Sequence, residues 1–285
     1  TVHLDPRTTP ARPDLAAKHL EGKARAARFA EGEAREVIDA QAPMRRAPAP
    51  DAEQVTEALM GERVTIYEFN DEGWAWGQLD TDGYVGWLPA NALVPPRGAL
   101  THTVTALRTL AFPGPSIKLP PVATPPLGSR LRVLRAQDRF AVTDIGYVPA
   151  GHLAAAAWHE PDFVAVAERF LGTPYLWGGK TNHGLDCSGL VQVALNACGI
   201  ACPRDSDMQE AALGARVTSL STLERGDLVF WKGHVAIVRD ESTFVHANAF
   251  HMAVAIEPIT SAIARIRAAG SDVTSVRRLE AIRLR

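Results

Sequence analysis

Three short runs between residues 63 and 89 alternate apolar and polar positions: RVTIYEF (63–69), WAWGQL (74–79) and YVGWLP (84–89). The segments NDEG and DTDG, rich in turn-forming residues, separate them. Alternation of period two broken by such turns predicts short antiparallel strands that close into a small barrel. A helical spacing shows elsewhere. Leu15, Leu20, Ala24, Ala27 and Phe29 make a loose apolar stripe behind Asp14, a good N-cap, which predicts an N-terminal helix. Phe163, Val164, Ala167 and Phe170 predict a second helix. Leu190, Val191, Ala194 and Cys198, capped by Asp186 and stopped by Gly199 and Pro203, predict a third. The runs DLVFW, HVAIV, TFVHA and MAVAIEPI follow, and helices ahead of an antiparallel meander read as an α+β domain.

The barrel pattern occurs twice. MGERVTIYEF (60–69) matches LGSRLRVLRA (127–136), and GWLPANAL (86–93) matches GYVPAGHL (146–153) in the same order. Each unit of roughly 60 residues resembles a bacterial SH3-like domain. The copies differ in polar residues: Glu62 aligns with Ser129 and Tyr84 with Asp144. The second carries six prolines within residues 113–126, too many for a central strand, so an ordered or semi-rigid loop is expected there. The expected organisation is multi-domain. It comprises a helical extension (1–35), two small all-β SH3-like barrels (36–97 and 98–157) and an α+β domain (158–285).

Charge narrows the partners. Thirty Lys and Arg against 32 Asp and Glu give a net charge of −2, which offers neither a nucleic-acid footprint nor a polybasic membrane anchor. No stretch approaches about 20 consecutive apolar residues, the length of a spanning helix. Numbered from Thr1 the chain reads as cytoplasmic, or as periplasmic or secreted if an export signal preceded Thr1. No Gly-rich phosphate loop or metal-ligand spacing is present, so neither a cofactor nor a metal is expected. Oligomeric state is left open.

Only three cysteines occur, and two readings compete for the first. Cys187 is either a small core residue or a nucleophile in the first turn of a helix, where unpaired N–H groups favour thiolate. Ser188 and Gly189 keep its surroundings small. Cys198 falls on the apolar face of the same helix. HVAIVRDESTFVHA reads as two strands joined by a turn; centred on Asp240, it makes His234 and His246 cross-strand partners. A thiol, a base and a group that orients the base are the components of a cysteine hydrolase.

YLWGG (175–179), DCSGL (186–190), RGDLVFW (225–231), GHVAI (233–237) and FVHA (244–247), in this order and spacing, resemble the NlpC-type papain-like cysteine peptidases of bacterial cell-wall metabolism. The resemblance covers about the last 125 residues. It implies Cys187 as nucleophile, His234 as general base, His246 as the residue that orients the base, and Tyr175 in the oxyanion region. It also implies cleavage beside the γ-linked D-glutamate of peptidoglycan-derived peptides.

Two SH3-like units ahead of the peptidase resemble the γ-D-glutamyl-L-diamino-acid endopeptidases, which act on peptides with a free N-terminal L-alanine. That likeness implies substrate contacts from Asp186, Ser188, Glu62 and Tyr84. Ser206, within PRDSDMQ (203–209), and Trp177 are further substrate-side candidates. An amidase or acyltransferase on the same fold, or a wall-binding adaptor without activity, are the alternatives. The polar GGKTNHGLD does not suggest an acyl channel, and the intact Cys and His set counts against an adaptor.

Overall fold

In the computed structural model, which describes residues 4–279, the alternating runs form the strands Arg63–Phe69, Trp74–Leu79 and Val85–Pro89. They pair antiparallel within a seven-stranded sheet that also contains Glu33–Val37, Gln41–Arg45, Gln54–Leu59 and Leu93–Val94. Val64, Ile66, Ala75, Leu79 and Leu88 point to one side and bury against Val37 and Met44. On the opposite face Trp76 stands across from Trp87 in the strand register.

That second aromatic face explains why the N-terminal helix does not form. Leu15–Ala17 is instead extended, buried against Trp76 and Trp87, and pairs in parallel with Arg28–Ala30. The Arg12 guanidinium carbon lies 4.4 Å and 4.9 Å from the two indole rings. A weak stripe interrupted by Gly22 loses little by giving up helical bonds, and extended backbone brings Leu15 onto the tryptophans.

Residues 99–157 form two three-stranded antiparallel sheets. The sequence repeat has a structural counterpart. Gly61 and Gly128 both take positive φ, +83° and +88°, a conformation that favours glycine. Pro89 and Pro149 each lead into a single 3₁₀ turn and then a short strand. The proline-rich loop is tied back at Arg108 to Pro126 and at Ala111 to Ala123, while Ile117 and Val122 remain exposed.

The chain divides into two compact units, 1–157 and 158–285. The second has four α-helices among the described residues: α1 (Phe163–Glu168), α2 (Cys187–Ala197), α3 (Ser206–Ala212) and α4 (Ile259–Ala268). Its six-stranded antiparallel sheet runs in the order Ala215–Val217, Val273–Arg278, Leu228–Trp231, His234–Val238, Thr243–Asn248, Ala253–Pro258. The strands from 228 to 258 are consecutive neighbours, as a meander requires. Among the described residues no helix is long and apolar enough to cross a membrane.

Candidate active site

Cys187 is the first residue of α2, and every residue from Cys187 to Leu195 is buried. A helix buried over its first turns needs polar closure at its end, and Asp186 supplies it. Its Oδ1 accepts from Gly189 N at 2.7 Å, and its Oδ2 from Gly178 N at 2.8 Å. Gly189 is required by close approach, because a Cβ there would lie 2.2 Å from the Gly179 carbonyl oxygen. The DCSG motif is therefore a packing device as much as an open approach to the sulfur.

The same carboxylate takes a bidentate ion pair from Arg204, with both nitrogens at 2.9 Å. Arg204 also donates to Ser188 Oγ at 3.0 Å and is essentially fully buried. The sequence expectation is that Asp186 and Ser188 present acceptors to a substrate amine; Arg204 is a partner inside the domain that it did not foresee. Both side chains are buried and both are bonded inside the domain, because a carboxylate enclosed at a helix start is stable only when its charge is balanced nearby. Sequence reading missed Arg204. The signal available was a lone arginine one position after Pro203, in a segment otherwise read for its serine.

The Cys187 thiol points at the Gly233 carbonyl oxygen, 4.0 Å away, which brings it beside the start of the strand that carries His234. His234 Nε2 lies 2.9 Å from His246 Nδ1, with ring centroids 5.2 Å apart. The histidines meet as expected but by a different register. Ile237 pairs with Val245 and Val238 with Phe244, which centres the turn on Glu241 rather than Asp240. The Asp240 carboxylate accepts from the Ser242 and Thr243 N–H groups, both at 2.9 Å, and closes the turn one residue later. The rings are thus diagonal neighbours on one sheet face, a separation that aromatic side chains span.

Burial dominates the electrostatics. It pushes the Cys187 thiol up, and the Asp186 charge beside it adds to this, outweighing the N–H groups of Val235 and Ser188 and the charge of Arg204. The expectation of a resting thiolate at the helix start is corrected accordingly: desolvation exceeds the helix-end field. Burial also lowers His234, helped by the neighbouring His246. It lowers His246 too, against the opposing pull of Glu257. The resting set is therefore a neutral thiol beside neutral imidazoles. Tyr175 is half-buried, and its hydroxyl is raised by burial and by the nearby Cys187 and Asp186.

Of the remaining candidates, Trp177 is 59% exposed, and Ser206 begins α3 and is partly exposed. Glu62 accepts from Leu59 N at 2.6 Å in a turn beside the seven-stranded sheet, whereas Tyr84 is buried in the core of that sheet. Cys198 caps the end of α2 and is partly exposed instead of lying on its buried face, since the helix stops one residue short of it. None of the three cysteines is in a disulfide.

Comparison with known proteins places both units among described families. Residues 44–93 match the bacterial dipeptidyl-peptidase SH3 domain, and residues 172–270 match the NlpC/P60 family. Dipeptidyl-peptidase 6 of Lysinibacillus sphaericus is 34% identical over 118 residues, which are 39% of this chain and 43% of that protein. The γ-D-glutamyl-L-lysine dipeptidyl-peptidase of Bacillus cereus is 25% identical over 240 residues, 72% of this chain and 71% of that one. The chain thus spans less than half of the first relative's length and about seven tenths of the second's. A crystal structure of an NlpC/P60 family protein from Bacillus cereus shares the fold, with a TM-score of 0.73 at 20% identity over 86% of this chain and 99% of that chain. The unit that holds Cys187, His234 and His246 is an NlpC/P60 domain, and a bacterial SH3 domain of the dipeptidyl-peptidase kind precedes it in the chain.

Proposed function

We propose that the protein is a cysteine endopeptidase that hydrolyses the bond between γ-D-glutamate and the diamino acid of peptidoglycan stem peptides bearing a free N-terminal L-alanine. The observation that carries this reading is the seating of Cys187 at the buried start of α2 against Gly233, the residue before His234, whose ring is hydrogen-bonded to His246. The name of the Bacillus cereus relative, γ-D-glutamyl-L-lysine dipeptidyl-peptidase, supports the substrate class.

Because the thiol rests protonated, the nucleophile is made as it reacts. His234 takes the thiol proton while sulfur attacks the γ-carbonyl carbon, and the carbonyl π electrons move onto oxygen. The backbone N–H of Cys187, among those without an intrahelical partner at a helix start, and the Tyr175 hydroxyl are the donors suited to that oxyanion. On collapse the C–N bond breaks, and the imidazolium returns its proton to the leaving amine. Water, deprotonated by His234, then hydrolyses the thioester and regenerates the thiol.

Recognition of the free amine is assigned to Glu62 and Tyr84, with Asp186, Ser188, Ser206 and Trp177 on the peptidase side. The family resemblance supports this assignment. An ammonium, with three donors and no acceptor, suits a set of oxygens. We read residues 98–157 as a second SH3-like barrel, supported by the shared glycine turn and proline corner.

The test is incubation with L-Ala-γ-D-Glu-diaminopimelate and identification of the products by mass. Release of diaminopimelate and the L-Ala-D-Glu dipeptide is expected. The N-acetylated peptide should react at least about tenfold more slowly. Equal rates remove the amine-reading residues from the proposal, and no cleavage of either peptide removes the substrate.

A further inference from the structure

His246 has a second partner that no sequence motif marked. Its Nε2 lies 2.9 Å from Glu257 Oε2, on the neighbouring strand Ala253–Pro258. Glu257 is in turn held by Arg265 of α4, whose Nε donates to Oε1 at 3.1 Å and Nη2 to Oε2 at 2.8 Å. His246 is fully buried and Glu257 nearly so, at 7% exposure. The guanidinium carbon of Arg265 sits 4.3 Å from the centre of the Phe250 ring, which holds it over the carboxylate. The strand register explains the contact. His246 pairs with Ala255, so Glu257 is its diagonal neighbour, just as His246 is the diagonal neighbour of His234. Three side chains thus step across three adjacent strands.

We infer that Glu257, backed by Arg265, is a positioning residue that selects the proton-bearing nitrogen of His246 and, through that ring, leaves Nδ1 of His234 as the base. The inference rests on reading Cys187, His234 and His246 as the reacting set. A carboxylate can only accept, so His246 Nε2 must carry hydrogen. A neutral imidazole has one N–H, so His246 Nδ1 is the acceptor and His234 Nε2 the donor between the rings. The lone pair of His234 is then on Nδ1. Burial supplies the missing condition, because it keeps both rings neutral at rest.

Arg265 has a separate task. An unbalanced Glu257 would draw a proton onto His246 and would raise the basicity of the whole set. With its charge matched by Arg265, the carboxylate orients without protonating. The groups that act on His246 are Glu257, Arg265 and His251, and those on His234 are His246, Arg265 and Glu257. His251 is itself bonded to Asn248 Oδ1 at 2.9 Å.

The test uses the full chain. In wild type, nitrogen-15 NMR should find His246 protonated on Nε2 at neutral pH; protonation on Nδ1 overturns the inference. In Glu257→Gln, Arg265 claims the amide oxygen, so the amide N–H₂ faces His246 and reverses its tautomer. Turnover should fall about 10- to 100-fold with KM little changed, one ring removed from the roughly ten-thousandfold loss seen when the wrong tautomer is imposed directly on a catalytic histidine. Wild-type turnover in that variant overturns the inference.

If Glu257→Gln does not fold, Arg265→Met decides. It should keep the Nε2 tautomer and move the acid limb of Cys187 alkylation by iodoacetamide to higher pH, and an unmoved limb overturns the role of Arg265. Tautomer and alkylation are read without substrate. Failure of the proposed peptide as a substrate, or label appearing on Cys198 or Cys202, would therefore strike the functional reading and not this one.

Discussion

Glu36 and Glu257 are two strand carboxylates, each withdrawn from solvent and each gripped by arginine. Glu36 is fully buried and collects three cations: Arg132 Nη1 at 2.7 Å, Arg97 Nη2 at 3.0 Å and Arg63 Nη2 at 3.3 Å. Arg132 and Arg97 continue to Asp144, which ties the segment after the seven-stranded sheet to the second sequence repeat. Although burial alone would raise Glu36, the hydrogen bonds from Arg132 and Arg97 hold it at about 2.

Among the described residues Glu257 has only Arg265 as a permanent cation, and its other partner is a neutral imidazole. Arginine does not titrate in the working range, so Glu36 is a fixed staple. Histidine exchanges a proton there, so Glu257 is coupled to chemistry. The identity of one partner separates the two roles.

Cys187→Ala gives the largest effect. Peptide hydrolysis, followed by mass, should vanish while hydrogen-exchange protection around both carboxylates is unchanged; residual turnover would move the nucleophile elsewhere. His234→Ala should follow, losing about 10²- to 10⁴-fold in turnover. His246→Asn should lose less, since an amide can still hold the base ring, and the opposite order would exchange the two histidines' roles.

Exchanging the carboxylates sharpens the contrast. Glu36→Gln leaves three arginines around a neutral side chain and should destabilise the first unit by about 3–5 kcal/mol, read as lost exchange protection along Glu33–Val37. Glu257→Gln should show the reverse, with a larger loss of turnover than of protection. Equal catalytic losses from both would dissolve the distinction.

Acid should separate the regions next. The folded value of Glu36 is depressed, so its contribution is complete above its ordinary value of 4.5 and is gone once the pH has fallen through about 2. The two histidines are also depressed, from 6.5, and the unfolded chain therefore takes up their protons first. Stability of the peptidase unit should decline as soon as the pH drops below 6.5. Limited proteolysis during acid titration, mapped by mass, should cut the peptidase unit before the first, and simultaneous cutting would contradict the pKa directions. The smallest effect is Arg267→Ala. It breaks the exposed pair with Asp272 and should change stability by less than about 0.5 kcal/mol.

The sequence by itself determined whatever depends on neighbours along the chain. Alternation at 63–89 sufficed for three strands of the seven-stranded sheet, because each strand buries one face regardless of its partner. Asp186 before an apolar run sufficed to start α2 at Cys187, because capping is a local bond. The nearly symmetric spacing of His234 and His246 about a turn sufficed to bring them together, although the Asp240 turn shifts the register by one residue.

Tertiary structure decided what depends on distant partners. Leu15–Ala17 became extended because Trp76 and Trp87, some 60 to 70 residues later, offer a surface that a loose stripe cannot match. Asp186 was committed to Arg204, and His246 to a Glu257 that Arg265 holds, by a fold that encloses those charges together. Glu257 did leave a trace, an acid at an inward position of a strand, but an unpaired acid in a sequence does not name the cation that will face it. The resting protonation of Cys187 was also decided at this level. The helix-end field is local and legible, whereas the burial that overrides it is produced by the packing of the whole domain.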